Sequence, residues 1–460
     1  MKKRLLCILL LAATSLTAAA QQIAPFKEGD RAVFLGNSIT DGGHYHSYIW
    51  LYYMTRFPYM NVEVMNAGIG GDTAADLYKR LDDDVFNKRP TVLTVTFGMN
   101  DTGYFEYNQP GAEEFGEKRL ALCRENYEKI EQRLRTLEGV RVVLLGSSPY
   151  DGTARIENNT PFEGKNEVMK RVVEFQREAA AENGWEFLDF NAPMTELTLR
   201  EQAADPAFTL SGGDRIHPGN DGHMVMAYLY LKAQGMAGKE VADVCIDADR
   251  AKVLRASNCT IGDIRRNRRE LSFDYLAEAL PYPLDTLPRG WGDVRSQADA
   301  ARLVPFVEEM NREMLCVKGL EGDYALWIDD EKIGEWSGRE LGEGINLATL
   351  DNTPQYQQAL EVMFLNEYRW EIERQFRDYA WMQFGFLQPR GLLNANDRRA
   401  VEAIDRGKEK DGWVMGHRGN FSQLMHESVR EARTREMQLL VDQIYTINKP
   451  RVHRIALRRL

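Results

Sequence analysis

The chain has 460 residues, 43 % of them hydrophobic and 28 % charged, with 37 glycines and 16 prolines. A tenth of the residues are aromatic and no glycine period exists, which excludes a disordered or collagen-like polymer and provides core for two or three domains. The formal net charge of −11 opposes a protein built to coat nucleic acid or an anionic membrane.

Lys2, Lys3 and Arg4 precede an apolar run, Leu5 to Ala13, and then Ser15-Leu16-Thr17-Ala18-Ala19-Ala20. This basic, apolar, small-residue order predicts a secretory signal peptide over residues 1–20, with Ala18 and Ala20 at the cleavage site. The alternative is a transmembrane anchor, but the run is shorter than the ~20 residues that span a bilayer. Cys7 lies inside the run, too early to carry a lipid. No other stretch reads as a membrane span. The expectation is an exported chain, periplasmic or extracellular, and more acidic once the leader is lost. Cys123, Cys245, Cys259 and Cys316 form no C-x-x-C pair and no metal-ligand spacing. Cys245 and Cys259 are the nearest pair for a disulfide; four buried free thiols are the alternative.

Strand-like segments follow at Arg31–Gly36, Asn61–Met65, Val92–Gly98, Val140–Gly146 and Trp185–Phe190. Charged, helix-period stretches near 112–137 and 164–183 alternate with them, and a further helix is expected from about Gly222 to Ala233. The third and fourth strands are rich in β-branched residues and almost continuously apolar, as strands buried on both faces should be. Alternating β and α predicts a parallel five-stranded sheet with right-handed crossovers and helices on both faces. Ligands of such sheets bind at the carboxyl ends of the strands.

Beyond residue 241 the pattern changes. Tyr324 to Gly334 reads as two short strands around an acidic turn, and 296–312, 355–384 and 421–446 read as helices. Phe364, Trp370, Phe376 and Trp381 read as core or interdomain packing rather than as a carbohydrate platform. The basic tail (Arg451, Arg454, Arg458, Arg459) reads as a solvated end.

Four segments directly after strands carry candidate chemistry. Gly36-Asn37-Ser38-Ile39-Thr40-Asp41 puts a serine at a strand's end and a helix's start, where it is either a capping residue or an exposed nucleophile. Asn66-Ala67-Gly68-Ile69-Gly70-Gly71-Asp72-Thr73 nearly matches a dinucleotide fingerprint, but Thr73 replaces the third glycine and the strand is the second. Its glycines suit a main-chain N–H aimed at developing negative charge. Gly98-Met99-Asn100-Asp101 offers a neutral side-chain amide, or ordinary turn chemistry. In Asp214-Arg215-Ile216-His217-Pro218 the aspartate can accept from Nδ1–H of His217 and leave Nε2 to deprotonate a serine; a core histidine with a capping aspartate is the bland alternative. His223 reads as packing or helix-end support.

Ser, Gly, Asn and Asp-x-x-His, in that chain order and each just after a strand, resemble the SGNH hydrolase (GDSL esterase/lipase) superfamily. The resemblance covers residues 24–240. It implies a flavodoxin-like three-layer α/β/α domain, with 241–460 as a mixed α+β accessory region of short strands and then long helices. Ser38 resembles the nucleophile, His217 the general base and Asp214 its orienting partner. The Ser38 and Gly71 N–H groups and the Asn100 side chain resemble the oxyanion donors. Asn37 departs from the family pattern, which has Asp there. The G-x-S-x-G elbow of the other lipase fold is absent, because position 40 is Thr.

The resemblance implies a serine esterase acting on a small acyl ester, with no metal and no cofactor. Export, acidity and polar aromatics near the site (Tyr45, His46, Tyr48, Trp50, Tyr104) suit a small acyl group on a carbohydrate, and the resemblance implies O-acetyl groups, so an acylated glycan is the expected partner and nucleic acid is not. A catalytically idle glycan-binding module, or an O-acyltransferase using the same residues, are the alternatives.

Overall fold

A computed structural model of the chain describes residues 23–289, 295–407 and 412–460. The leader expected over residues 1–20 lies outside the described residues. Strands β1 (Arg31–Gly36), β2 (Glu63–Gly68), β3 (Val92–Phe97), β4 (Arg141–Gly146) and β5 (Glu186–Asp189) form one sheet in the order β2-β1-β3-β4-β5. Every neighbouring pair is parallel. The helices of this layer are α1 (Ser38–Asp41), α2 (Tyr45–Arg56), α3 (Ala74–Lys79), α4 (Ala112–Leu134), α5 (Lys165–Asn183), α6 (Asn191–Gln202) and α7 (Asn220–Ala233).

Successive strand residues point to opposite faces, so a sheet covered on both sides needs unbroken apolar strands. Phe34 of β1 packs with Ile49 and Tyr53 of α2 and Leu231 of α7. Its neighbours Val33 and Leu35 pack on the other face with Leu77 of α3, Tyr127 of α4 and Phe175 of α5. The strand order reverses at β1, since β2 lies on one side of it and β3 on the other. That reversal opens a crevice at the carboxyl ends of β1 and β3, where the loops after the first three strands meet.

The second half builds two more sheets and a helical layer. Its elements are β6 (Ala242–Asp247), β7 (Lys252–Ser257), β8 (Cys259–Arg266), β9 (Glu270–Ala277), α8 (Phe306–Met310), β10 (Glu313–Lys318), β11 (Asp323–Ile328), β12 (Glu331–Ser337), α9 (Gly338–Glu343) and β13 (Ile345–Asn346), then α10 (Pro354–Ala380), α11 (Arg398–Gly407), α12 (Gly412–Leu424), α13 (Glu427–Ile447) and β14 (His453–Arg459). The sheets run β13-β10-β6-β7 and β12-β11-β14-β9-β8 and share one core, in which Val244 and Leu315 of the first meet Phe273, Leu326 and Ile455 of the second. Thr353 caps α10 by accepting from the Tyr356 N–H, with Pro354 in the first turn. This 27-residue helix returns the chain to the first domain, where Asn366 Nδ2 donates to Ser47 Oγ of α2 at 2.9 Å.

Four expectations need correction. The basic tail is not a free end: Arg454, Arg458 and Arg459 belong to β14, which pairs with both β9 and β11, and Arg454 bridges Asp263 and Asp274, while Arg451 precedes the strand and is exposed. Residues 296–312 are not one helix, because Pro305 breaks the run into a single 3-10 segment and α8. The helix expected over 421–446 is two, α12 and α13, meeting at Met425 and His426. The cysteine facing Cys245 is Cys316, in register on the adjacent strand, rather than Cys259.

Glu313 at the start of β10 is buried, and burial raises its carboxyl from the usual 4.5 to about 7 against hydrogen bonds from Tyr275 and Gln355 and the charge of Arg56. The folded chain therefore holds this proton where the unfolded chain has released it. Its contribution to stability falls as pH rises from about 4.5 through 7 and is flat above. Glu313→Gln is expected to raise the melting temperature at pH 8 and to leave it nearly unchanged at pH 5; an equal change at both would contradict this.

Candidate active site

Ser38 opens α1 directly after β1. The capping oxygen of this short helix is Asn37 Oδ1, which accepts from the Ile39 N–H at 3.1 Å. Because Asn37 caps the helix, the Ser38 hydroxyl is left for another partner, and the replacement of Asp by Asn leaves the cap in place. That partner is His217: Nε2 lies 2.8 Å from Ser38 Oγ. On its other side His217 Nδ1 lies 2.5 Å from Asp214 Oδ2. Asp214 Oδ1 accepts from the Ile216 and His217 N–H groups at 2.9 and 3.0 Å, which fixes the carboxylate under the ring. Partial burial works to raise the Asp214 carboxyl, but the His217 contact and these N–H groups outweigh it and hold it below the usual carboxylate value.

The turn that presents His217 is anchored from below. Arg215, between the two, has φ of 68° and a buried guanidinium that donates to the carbonyls of Asp151, Ala154 and Asn159. A non-glycine residue in this left-handed region needs such fixed surroundings.

The loops after β2 and β3 close the other side. Gly71 has φ of +89°, open to glycine and strained for other residues. Neither the Gly71 N–H nor the Ser38 N–H donates to a protein acceptor among the described residues. Asn100 Nδ2 donates to the Asp72 carbonyl at 2.8 Å, next to Gly71, while Asn100 Oδ1 accepts from Tyr104 OH at 2.5 Å. The tyrosine therefore fixes which end of the amide faces the Gly71 turn. Asp101 links the two loops, accepting from Ala74 N–H and Gly98 N–H at 2.8 and 2.9 Å. Lys165, fully buried, donates to the Met99 and Gly103 carbonyls and to Thr102 Oγ1, and clamps the third loop from beneath. Ser38, His217 and Asp214 thus form a hydrogen-bonded chain, and Gly71 and Asn100 are held side by side through Asp72.

Four of the five polar aromatics expected around a glycan do not reach a substrate. Tyr45, His46, Tyr48 and Trp50 lie inside α2 and its core, none more than 2 % exposed. Only Tyr104 serves the site, through Asn100. His223 is buried packing, stacked on Tyr45 with ring centroids 6.0 Å apart.

Sequence reasoning missed the groups that hold the loops. Asp41 Oδ2 accepts from the Gly70 N–H at 3.0 Å, and burial pushes its carboxyl up to about 6 against Arg374 and Arg377. Arg80 donates to the Gly36 and Ala67 carbonyls and to Asp72 and Asp84; Arg377, from α10, donates to the Gly68 carbonyl and to both oxygens of Asp84. Trp381 Nε1 donates to the Gly70 carbonyl at 3.1 Å. Asp41 sits within the serine motif and Trp381 read as packing, but nothing local marks Arg377, which arrives from 309 residues beyond Gly68.

The parallel sheet thus reverses at β1, and Ser38 at the end of that strand is in contact with His217 and, through it, Asp214 from the loop between α6 and α7. Residues 34–225 match the GDSL-like lipase/acylhydrolase family, and residues 360–449 match the diltiazem deacetylase C-terminal helical domain. The chain belongs to the SGNH (GDSL) hydrolase superfamily, with a C-terminal helical domain added. Among solved structures, BT4096, a gut microbial diltiazem-metabolizing enzyme, is 59 % identical, with a TM-score of 0.94 over 96 % of this chain and 100 % of that one. An acetylxylan esterase of Geobacillus stearothermophilus is 28 % identical over 226 residues, which are 45 % of this chain and 94 % of that protein. The chain is a carboxylic ester hydrolase.

Truncating Arg377 to Ala leaves Asp84 and the Gly68 carbonyl short of donors. The expected cost is roughly 3 kcal/mol of stability in urea unfolding, and Asp84→Asn in the same chain should recover part of it. An unchanged midpoint would show that the cluster does not hold the loops.

Proposed function

We propose that this protein is a serine esterase that removes a small acyl group, acetate first of all, through Ser38, His217 and Asp214. Residues 24–240 are the catalytic unit in this proposal, and 241–460 the accessory region that braces it. His217 Nε2 takes the Ser38 proton as Oγ attacks the ester carbonyl. The Ser38 and Gly71 N–H groups and Asn100 Nδ2 receive the oxyanion. His217 then returns the proton to the leaving alkoxide, and water, deprotonated by the same nitrogen, releases the acid. The observation that carries this assignment is the 2.8 Å contact between Ser38 and His217, continued at 2.5 Å to Asp214. The same contact weighs against an idle binding module, since neither side chain serves as a cap or as core.

For the substrate, the likeness over nearly the whole chain to a diltiazem-metabolizing enzyme supports an acetate ester on a ring-bearing small molecule. The acetylxylan esterase relative, over the first half alone, supports an acetylated carbohydrate as the second reading. Burial of the α2 aromatics leaves the carbohydrate reading without the platform that first favoured it. Export through the segment at residues 1–20 belongs to the same proposal; among the described residues no helix is long and apolar enough to cross a membrane.

Acetate release should be measured with diltiazem, an aryl acetate and acetylated xylan. Ser38→Ala is expected to fall below about 10⁻⁴ of the wild-type kcat with an unchanged melting temperature. Asn100→Ala is expected to lose about 10²–10³ in kcat with little change in KM. Retained turnover in the first variant, or a loss confined to KM in the second, would contradict these roles.

A further inference from the structure

We propose that Cys245 and Cys316 are joined by a disulfide in the mature protein. They sit on β6 and β10, adjacent parallel strands of the four-stranded sheet, and face each other in register. Neighbouring strands are ~4.8 Å apart, inside the ~4.4–6.8 Å range of Cα separations that a disulfide spans. The two Sγ atoms lie 2.6 Å apart, well within the contact distance of two unbonded sulfurs. Along both strands the residues on either side, Val244 and Ile246, Leu315 and Val317, point into the sandwich core. The cysteines therefore share the outer face of the sheet, under α9, where Cys316 Sγ lies 3.5 Å from the Gly342 carbonyl.

The same geometry dismisses the other pairings. Cys259 packs against the sandwich core, with its Sγ against the Asp243 carbonyl at 3.9 Å. It is on the opposite side of the sheet from Cys245. Cys123 belongs to the core of the first domain, beside Tyr127 and Val95.

Bond formation needs an oxidant, and a protein or small-molecule disulfide supplies it by exchange. One cysteine thiolate attacks the oxidant's S–S bond, forming a mixed disulfide and releasing one thiol. The second thiolate attacks the Sγ of the first cysteine in that mixed disulfide, closing Cys245–Cys316 and releasing the oxidant's remaining sulfur as a thiol. Two protons and two electrons leave the protein, and the oxidant ends as two thiols. Both cysteines are buried in the fold, so exchange takes place while the strands assemble. The bond closes a loop across a sequence separation of 71 residues, long enough for a large effect on the unfolded chain.

The test is refolding of the full chain with oxidised and reduced glutathione, followed by alkylation in denaturant and peptide mass mapping. The expected result is a linked peptide pair carrying Cys245 and Cys316, with Cys123 and Cys259 alkylated. Reduction should then lower the melting temperature by about 5–10 °C. The Cys245→Ser plus Cys316→Ser variant should melt at one temperature with or without reductant and keep the wild-type kcat on an aryl acetate. Alkylation at all four positions, or a bridge through Cys259, would overturn the proposal.

Discussion

Two buried guanidiniums close on one carboxylate at the open end of the sheet. Arg80 and Arg377 both grip Asp84, and between them they donate to the carbonyls of Gly36, Ala67 and Gly68 at the carboxyl ends of β1 and β2. Buried backbone carbonyls need donors; Gly36 also accepts from the Ile69 N–H, and the arginines add donors there and at Ala67 and Gly68. A buried ion cluster adds little net stability, because desolvation offsets most of its attraction. Its consequence is positional: Arg80 and Arg377 tie the ends of β1 and β2, from which the loops bearing Ser38 and Gly71 depart, to one carboxylate. Since Arg377 comes from α10, the helical layer is part of the site's frame and not an appendage.

Around that frame, each candidate group is held by residues that do no bond-making. Asn37 caps the short helix and frees the serine hydroxyl; Arg215 pins the turn beneath His217; Tyr104 turns the Asn100 amide; Lys165 clamps the loop on which Asn100 sits. Donors fixed in advance of the reaction need not reorganise as charge develops, which is where such sites gain most of their rate.

The sheet was legible because its central strands are buried on both faces, which writes nearly continuous apolar and β-branched runs into the sequence at Val92–Phe97 and Arg141–Gly146. Ser38, Gly71 and Asn100 could be picked out as candidates because each follows a strand that is read locally; Asp214 and His217 were picked out by their own spacing, since they lie beyond α6 and not directly after a strand. Other features depend on pairings across hundreds of residues and leave no local period. Leu457 reads as part of a basic tail until β9 and β11 are known to flank it. Cys245 is nearer Cys259 in sequence and nearer Cys316 in space, because alternation along β6 turns it to the other face. Tyr45 and Trp50 read as polar aromatics near a site, yet α2 is enclosed between the sheet and α10 and buries them.

The central claim is that His217 makes Ser38 the one nucleophilic serine of this chain. Trapping with an aryl phosphonate, followed by peptide mass analysis, tests it most directly. The account predicts a single adduct on the peptide bearing Ser38, formed orders of magnitude more slowly in His217→Ala. An adduct on another residue, or a trapping rate indifferent to the loss of His217, would contradict it.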